Sequence, residues 1–113
     1  MDENEQAEYL EEIADLRSRL ARLVEEGGDP VLIDEFTVEL RILEALLLAA
    51  REVQQQLRLD SELGEGLSAR GFSPHSFKEV YAFVYDSAME IELGGRELAR
   101  AVSETDFVGL LSS

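Results

Sequence analysis

Apolar residues recur near the start of the chain at Tyr9, Ile13, Leu16, Leu20 and Leu23, the alternating four-and-three spacing of a heptad seam. The spacing predicts a helix from about Glu5 to Glu26, with Ala14, Ala21 and Val24 widening the seam and few clean ion pairs on its charged face. Gly27-Gly28 end it, and Asp29-Pro30 start another, with Asp as N-cap and Pro at the first helical position. In this second helix, from Pro30 to about Leu57, one stripe runs through Ile33, Phe36, Leu40, Leu43, Leu47, Ala50 and Leu57, broken only at Gln54. A second stripe of Ile42, Leu46, Ala49 and Val53 lies beside it, so that from Ile42 to Ala50 only Glu44 is not apolar. A helix apolar almost all round must be covered from several sides. The short linker turns the two helices antiparallel, as an αα-hairpin spanning residues 5–57.

Length adds a second constraint. Some 28 residues at ~1.5 Å rise make roughly 42 Å of helix, longer than the ~35 Å width of a compact chain of this size. Either the helix breaks early or it extends into an oligomer. After it, LDSELGEGLSARGFS has the composition of a loop over 59–73, with at most a short helical turn around Ser61–Leu67. The C-terminal helices follow over 74–111. Ser73 with Pro74, or Ser76 with Glu79, starts a third amphipathic helix carrying Phe77, Val80, Tyr81, Val84, Ala88 and Ile91 on one face. Gly94-Gly95 close it, a short helix covers Arg96 to Val102, and Ser103 with Asp106 caps a last amphipathic turn carrying Phe107, Val108, Leu110 and Leu111. The fold class expected is all-α, one helical domain over 1–113: a long antiparallel hairpin, a third amphipathic helix and one or two short C-terminal helices.

Charge narrows the function classes. The 113 residues carry 25 acidic against 10 basic side chains, a net −15. Such a surface repels nucleic-acid phosphates and anionic membranes, so no direct nucleic-acid or membrane partner is expected. Nine Arg against one Lys (Lys78), with 18 Glu against 7 Asp, fit halophilic adaptation or a GC-rich genome as well as a surface evolved for a basic partner. There is no Cys, hence no disulfide and no thiolate chemistry. MDENEQAEYLEE is the opposite of a basic-then-apolar leader, and the Ile42–Ala50 run is about half a membrane span. The expected location is cytoplasmic or particle-associated.

Candidate chemistry is thin. The single His75 stands beside Pro74 with no Glu three residues before it, which is not the pattern of a di-metal carboxylate bundle. Glu35 and Glu39 lie off the apolar seam and read as solvent-facing. No nucleophile elbow and no phosphate loop is present. No cofactor, metal or catalytic residue is expected, and the chain reads as a non-enzyme.

Interfaces are better represented. Ile42, Leu43, Leu46, Leu47, Ala50 and Val53 on the long helix are candidates for contact with another copy. Phe83 and Tyr85, with Met89 one turn beyond, point off the inward face of the third helix, as interface residues or as a second packing surface. Phe107, Leu110 and Leu111 form either a docking peptide or, preferably, a strap over the second stripe. The function expected is protein–protein interaction or assembly: a small acidic helical subunit of a homo-oligomer or of a larger particle, such as a virion or molecular machine. The alternative is an acidic inhibitor imitating nucleic acid in a basic cleft.

Overall fold

The computed structural model describes residues 2–112; the two end positions of the expected 1–113 unit lie outside them. The described residues form six helices and no strand: α1 Asp2–Glu25, α2 Pro30–Leu59, α3 Ser61–Ala69, α4 Phe77–Met89, α5 Gly95–Glu104 and α6 Phe107–Ser112. The chain is all-α, and its first two helices pack together as the expected hairpin. Gln6 bonds to Gln54 while Arg17 bonds to Glu44, so the helices run in opposite directions.

The hairpin turn follows its sequence. Gly28 N–H donates to Leu23 O at 2.8 Å and Gly27 N–H to Val24 O at 3.3 Å, the paired bonds of a Schellman ending. Gly27 sits at φ +64°, where a Cβ is strained. Asp29 then caps α2, its side chain accepting from Val31 N–H. Asp15 and Arg19 form an ion pair at 3.1 Å one turn apart, a contact the charge pattern of α1 did not lead us to expect.

Helix α2 does not break early. It runs thirty residues, and the molecule is elongated to fit it, with extents of 51 × 32 × 19 Å. It ends at Asp60, an extended residue whose N–H donates to Gln56 O and whose side chain accepts from Glu62 N–H. One aspartate thus stops α2 and starts α3. The loop expected over 59–73 is therefore corrected: Leu59 ends α2, the nine residues of α3 are helical, and the true connection is 70–76. The glycines that suggested a loop are demanded by packing. A Cβ on Gly66 would lie 2.7 Å from the backbone oxygen of Leu111, so only glycine lets α3 approach α6 this closely. Arg70 locks the same contact, donating to Gly66 O and to Leu110 O. Of the two starts considered for α4, Ser76 is the cap, its Oγ accepting from Glu79 N–H. Glu5 of α1 reinforces it, accepting from Phe77 N–H at 2.8 Å and from Ser76 Oγ.

The core is one continuous cluster, with Leu46 and Val53 of α2, Leu67 of α3, Phe77, Val80 and Val84 of α4, and Val102 of α5 almost wholly buried. Most of both apolar stripes of α2 is covered by the same chain, with Ile42 and Leu43 left half-buried: α1 and α4 lie along it, and α5 packs more extensively on it than any other helix. Leu98, Ala99 and Val102 form α5's buried face, while Arg96, Glu97, Arg100, Ser103 and Glu104 stay exposed. Helix α6 adds Phe107 beside Ala49 and Val53, which is the strap arrangement.

Candidate functional site

Helix α2 presents Val38, Ile42 and Leu46 at successive four-residue steps, which places them in one row along a helix. Tyr85 and Met89, four apart on α4, form the opposite wall, and Leu98 of α5 closes the far end. Together with Leu43 they enclose an open groove of 540 Å³ with an apolar floor. Leu46 and Leu98 at its bottom are buried, Val38, Ile42 and Leu43 are half-buried, and Tyr85 and Met89 are 46% and 45% exposed. Asp34, Glu35 and Glu39 line its α2 edge. Asp34 is paired with Arg96 across the groove's end. Among the described residues no cation is bonded to Glu35 or Glu39. Their reading as solvent-facing holds for exposure, and the fold gives it a further meaning, since they face solvent at the lip of an apolar trough.

Five of the twelve candidate interface residues meet here: Ile42, Leu43, Leu46, Tyr85 and Met89. The others are dispersed. Leu47, Ala50 and Val53 are 4%, 0% and 2% exposed, held inside their own chain, so their need for cover does not require another copy. Phe83 is also core, edge-on to Phe72 at 5.9 Å and to Phe107 at 6.5 Å. Helix α4 has a second packing surface because Phe72 of the 70–76 connection and Phe107 of α6 lie against it. Phe107 and Leu111 are buried and Leu110 is 41% exposed away from the groove. Val38 and Leu98 were not among the candidates. Val38 lay outside both stripes, and Leu98 became relevant only once α5 was seated on α2.

A second trough lies on the other side of α2, lined by Leu10, Ile13, Ala45, Leu47 and Leu48. Arg17 crosses it to Glu44 at 2.7 Å, and Arg51 Nε donates to Gln6 Oε1 at 2.9 Å. A wider cleft at the foot of the molecule, between the end of α2, α3 and the 70–76 connection, contains His75, Ser61, Ser68 and Glu65. Among the described residues no hydrogen bond joins the imidazole to a hydroxyl or a carboxylate, so no nucleophile and base are paired there. Nor do three His, Asp or Glu side chains converge as a metal would need, among the described residues. No helix among them is long and apolar enough to cross a membrane.

Tyr9 and Tyr81 stack at 4.2 Å between α1 and α4, and Tyr9 meets Phe77 edge-on. Burial, then the neighbouring Tyr9 and Glu12, push the Tyr81 phenol up to about 12. Burial also raises Tyr9, with help from Glu8, Glu5 and Glu12. Neutral phenols suit a packing contact, not acid–base work near neutral pH. Compared with protein-family models, with curated proteins and with solved structures, the chain matches none.

Proposed function

We propose that this chain is a non-enzymatic interaction protein, a small acidic helical subunit that joins a larger assembly through the α2–α4–α5 groove. One observation carries this reading: three helices converge to build an apolar trough whose upper wall, Tyr85 and Met89, is left half in water. Amphipathic aromatics and adaptable methionines over a buried floor are what contact surfaces use. The groove replaces the middle of α2 as the proposed contact, because Leu47, Ala50 and Val53 are already packed.

A photo-crosslinking residue at position 85 tests it in the cells that make the protein. The expected result is one discrete adduct, absent when the same residue replaces Leu59, which is 76% exposed and far from the groove. Equal, diffuse labelling from both positions overturns the reading. The net charge of −15 favours one second reading, an acidic inhibitor seated in a basic nucleic-acid-binding cleft. Binding of that kind uses surface carboxylates, so it survives Tyr85→Asp with Met89→Asp, whereas groove binding is lost.

A further inference from the structure

We infer that the groove takes a cationic amphipathic helix from a different protein, and not a second copy of this chain; this rests on the groove being the contact surface. The shape argues for a helix. The α2 side of the groove, from Asp34 at the rim to Leu46 at the floor, covers twelve helical steps, about 18 Å at ~1.5 Å per residue, which is the length of about three turns. A helix laid there presents apolar side chains at positions i, i+3/i+4 and i+7 to Ile42, Leu46 and Met89, the ordinary way an amphipathic helix fills a trough.

The charge argues for the sign of the partner. Glu35 and Glu39 stand a turn apart at the lip with no cation on them, and Asp34 is the one rim carboxylate already answered, by Arg96. Basic residues flanking the apolar stripe of an incoming helix reach both glutamates while its stripe is seated. A second copy meets the opposite condition. In a two-fold contact the same patch faces itself, so the acidic rim of one copy is brought up against the acidic rim of the other. Each copy also brings a net −15. Like-charge juxtaposition is what excludes a wrong partner, and the steering field of so acidic a molecule draws in basic ones.

Three synthetic 18-residue helices sharing one Leu stripe test this, with Lys, Glu or Gln at all other positions, plus a Leu/Lys peptide of scrambled order. Each is titrated into the full chain while the Met89 methyl, Ile42 methyl and Tyr85 ring signals are followed by NMR. We expect the Leu/Lys helix to bind at least tenfold more tightly than the Leu/Gln helix and to shift those three signals. Glu35→Lys with Glu39→Lys should weaken it about tenfold, and Tyr85→Ala by a factor of ten or more. Light scattering at low and molar salt should show a monomer. If Leu/Gln or Leu/Glu binds the groove as well as Leu/Lys does, the cationic partner is wrong and the groove still stands as an interface. A dimer that Met89→Glu dissociates makes the occupant a second copy, again leaving the interface intact. If the scrambled peptide binds equally, or no peptide moves the three signals, both this inference and the interface reading fall.

Discussion

The two troughs on either side of α2 rest on adjacent residues, Leu46 under one and Leu47 under the other, yet one is bridged by arginines and one is lined by carboxylates. On the α1 side, Arg17 reaches Glu44 and Arg51 reaches Gln6, laying two long aliphatic stems over the apolar floor. On the α4–α5 side the rim carries short carboxylates, and its one arginine contact, Arg96 to Asp34, sits at the end of the groove. Asp and Glu have shorter aliphatic stems than Arg and neighbouring carboxylates repel one another, so they cover less apolar surface. The bridged side still exposes two apolar side chains, Leu10 at 43% and Leu48 at 66%, but they are aliphatic and flank an arginine that bonds to Glu44. The open side keeps a wall of two, Tyr85 and Met89, above a continuous floor. What separates a packing seam from a docking surface in this molecule is therefore the placing of its few arginines, not the hydrophobicity of the floor.

The floors themselves should prove equivalent. Leu46→Ala and Leu47→Ala are each expected to cost about 2–5 kcal/mol in chemical denaturation, because both side chains are buried and leave a cavity. Leu47→Glu goes further and should leave no cooperative thermal transition by circular dichroism, since an uncompensated buried charge approaches the whole stability of a small domain. If either alanine variant costs less than about 1 kcal/mol, its floor is not packed as described. Gly66→Ala should follow at about 1–3 kcal/mol, because its Cβ meets backbone, which cannot swing aside.

Alkali probes the α1 side specifically. The Tyr81 phenol is raised by burial beside Tyr9, so the folded form holds its proton to about pH 12 while the unfolded chain, at the ordinary tyrosine value of 10.0, releases it earlier. A raised folded pKa means the contribution is complete below pH 10 and is lost as pH climbs from there through about 12. Denaturation midpoints should fall across that window, and Tyr81→Phe should flatten the fall. A Tyr81 that titrates at the ordinary value would mean α1 does not cover α4.

The hairpin was legible because each signal in it is local: heptad spacing, Gly27-Gly28, and Asp29 before Pro30. Asp60 was equally local but hidden, since one residue serving as both C-cap and N-cap looks like the start of a loop when glycines follow. Those glycines were ambiguous in sequence. Gly66 is small because Leu111, 45 positions later, presents a carbonyl to it, and no window along the chain contains that fact. Phe72 and Phe107, 11 positions before and 24 after Phe83, form the layer behind it, and their meeting is likewise not a local signal. The groove was half legible. Tyr85 and Met89 stood out as apolar residues off the inward face, and Ile42 and Leu46 as a second stripe. Their meeting, and the entry of Val38 and Leu98, depended on where α5 settled against α2. The glutamates at its lip were read correctly as exposed, but exposure alone does not say what lies beside them.

The smallest expected effects lie at the roofs, and they separate the troughs most cleanly. Arg17→Ala removes a pair whose side chains are 59% and 40% exposed, so its cost should be within about 1 kcal/mol. It should nonetheless unroof the α1-side floor, giving a rise in binding of an apolar dye that Glu44→Ala reproduces. Met89→Ser, on the open side, should cost about 1 kcal/mol, because the residue is 45% exposed and only the remainder of its apolar contacts is lost. Dye binding should fall in that variant, because the groove loses part of its wall. Opposite signs from two mild substitutions would identify one trough as sealed and the other as already available. The same sign from both would mean that the arginine roof closes nothing, and the distinction between seam and surface would have to be drawn from Glu35 and Glu39 instead.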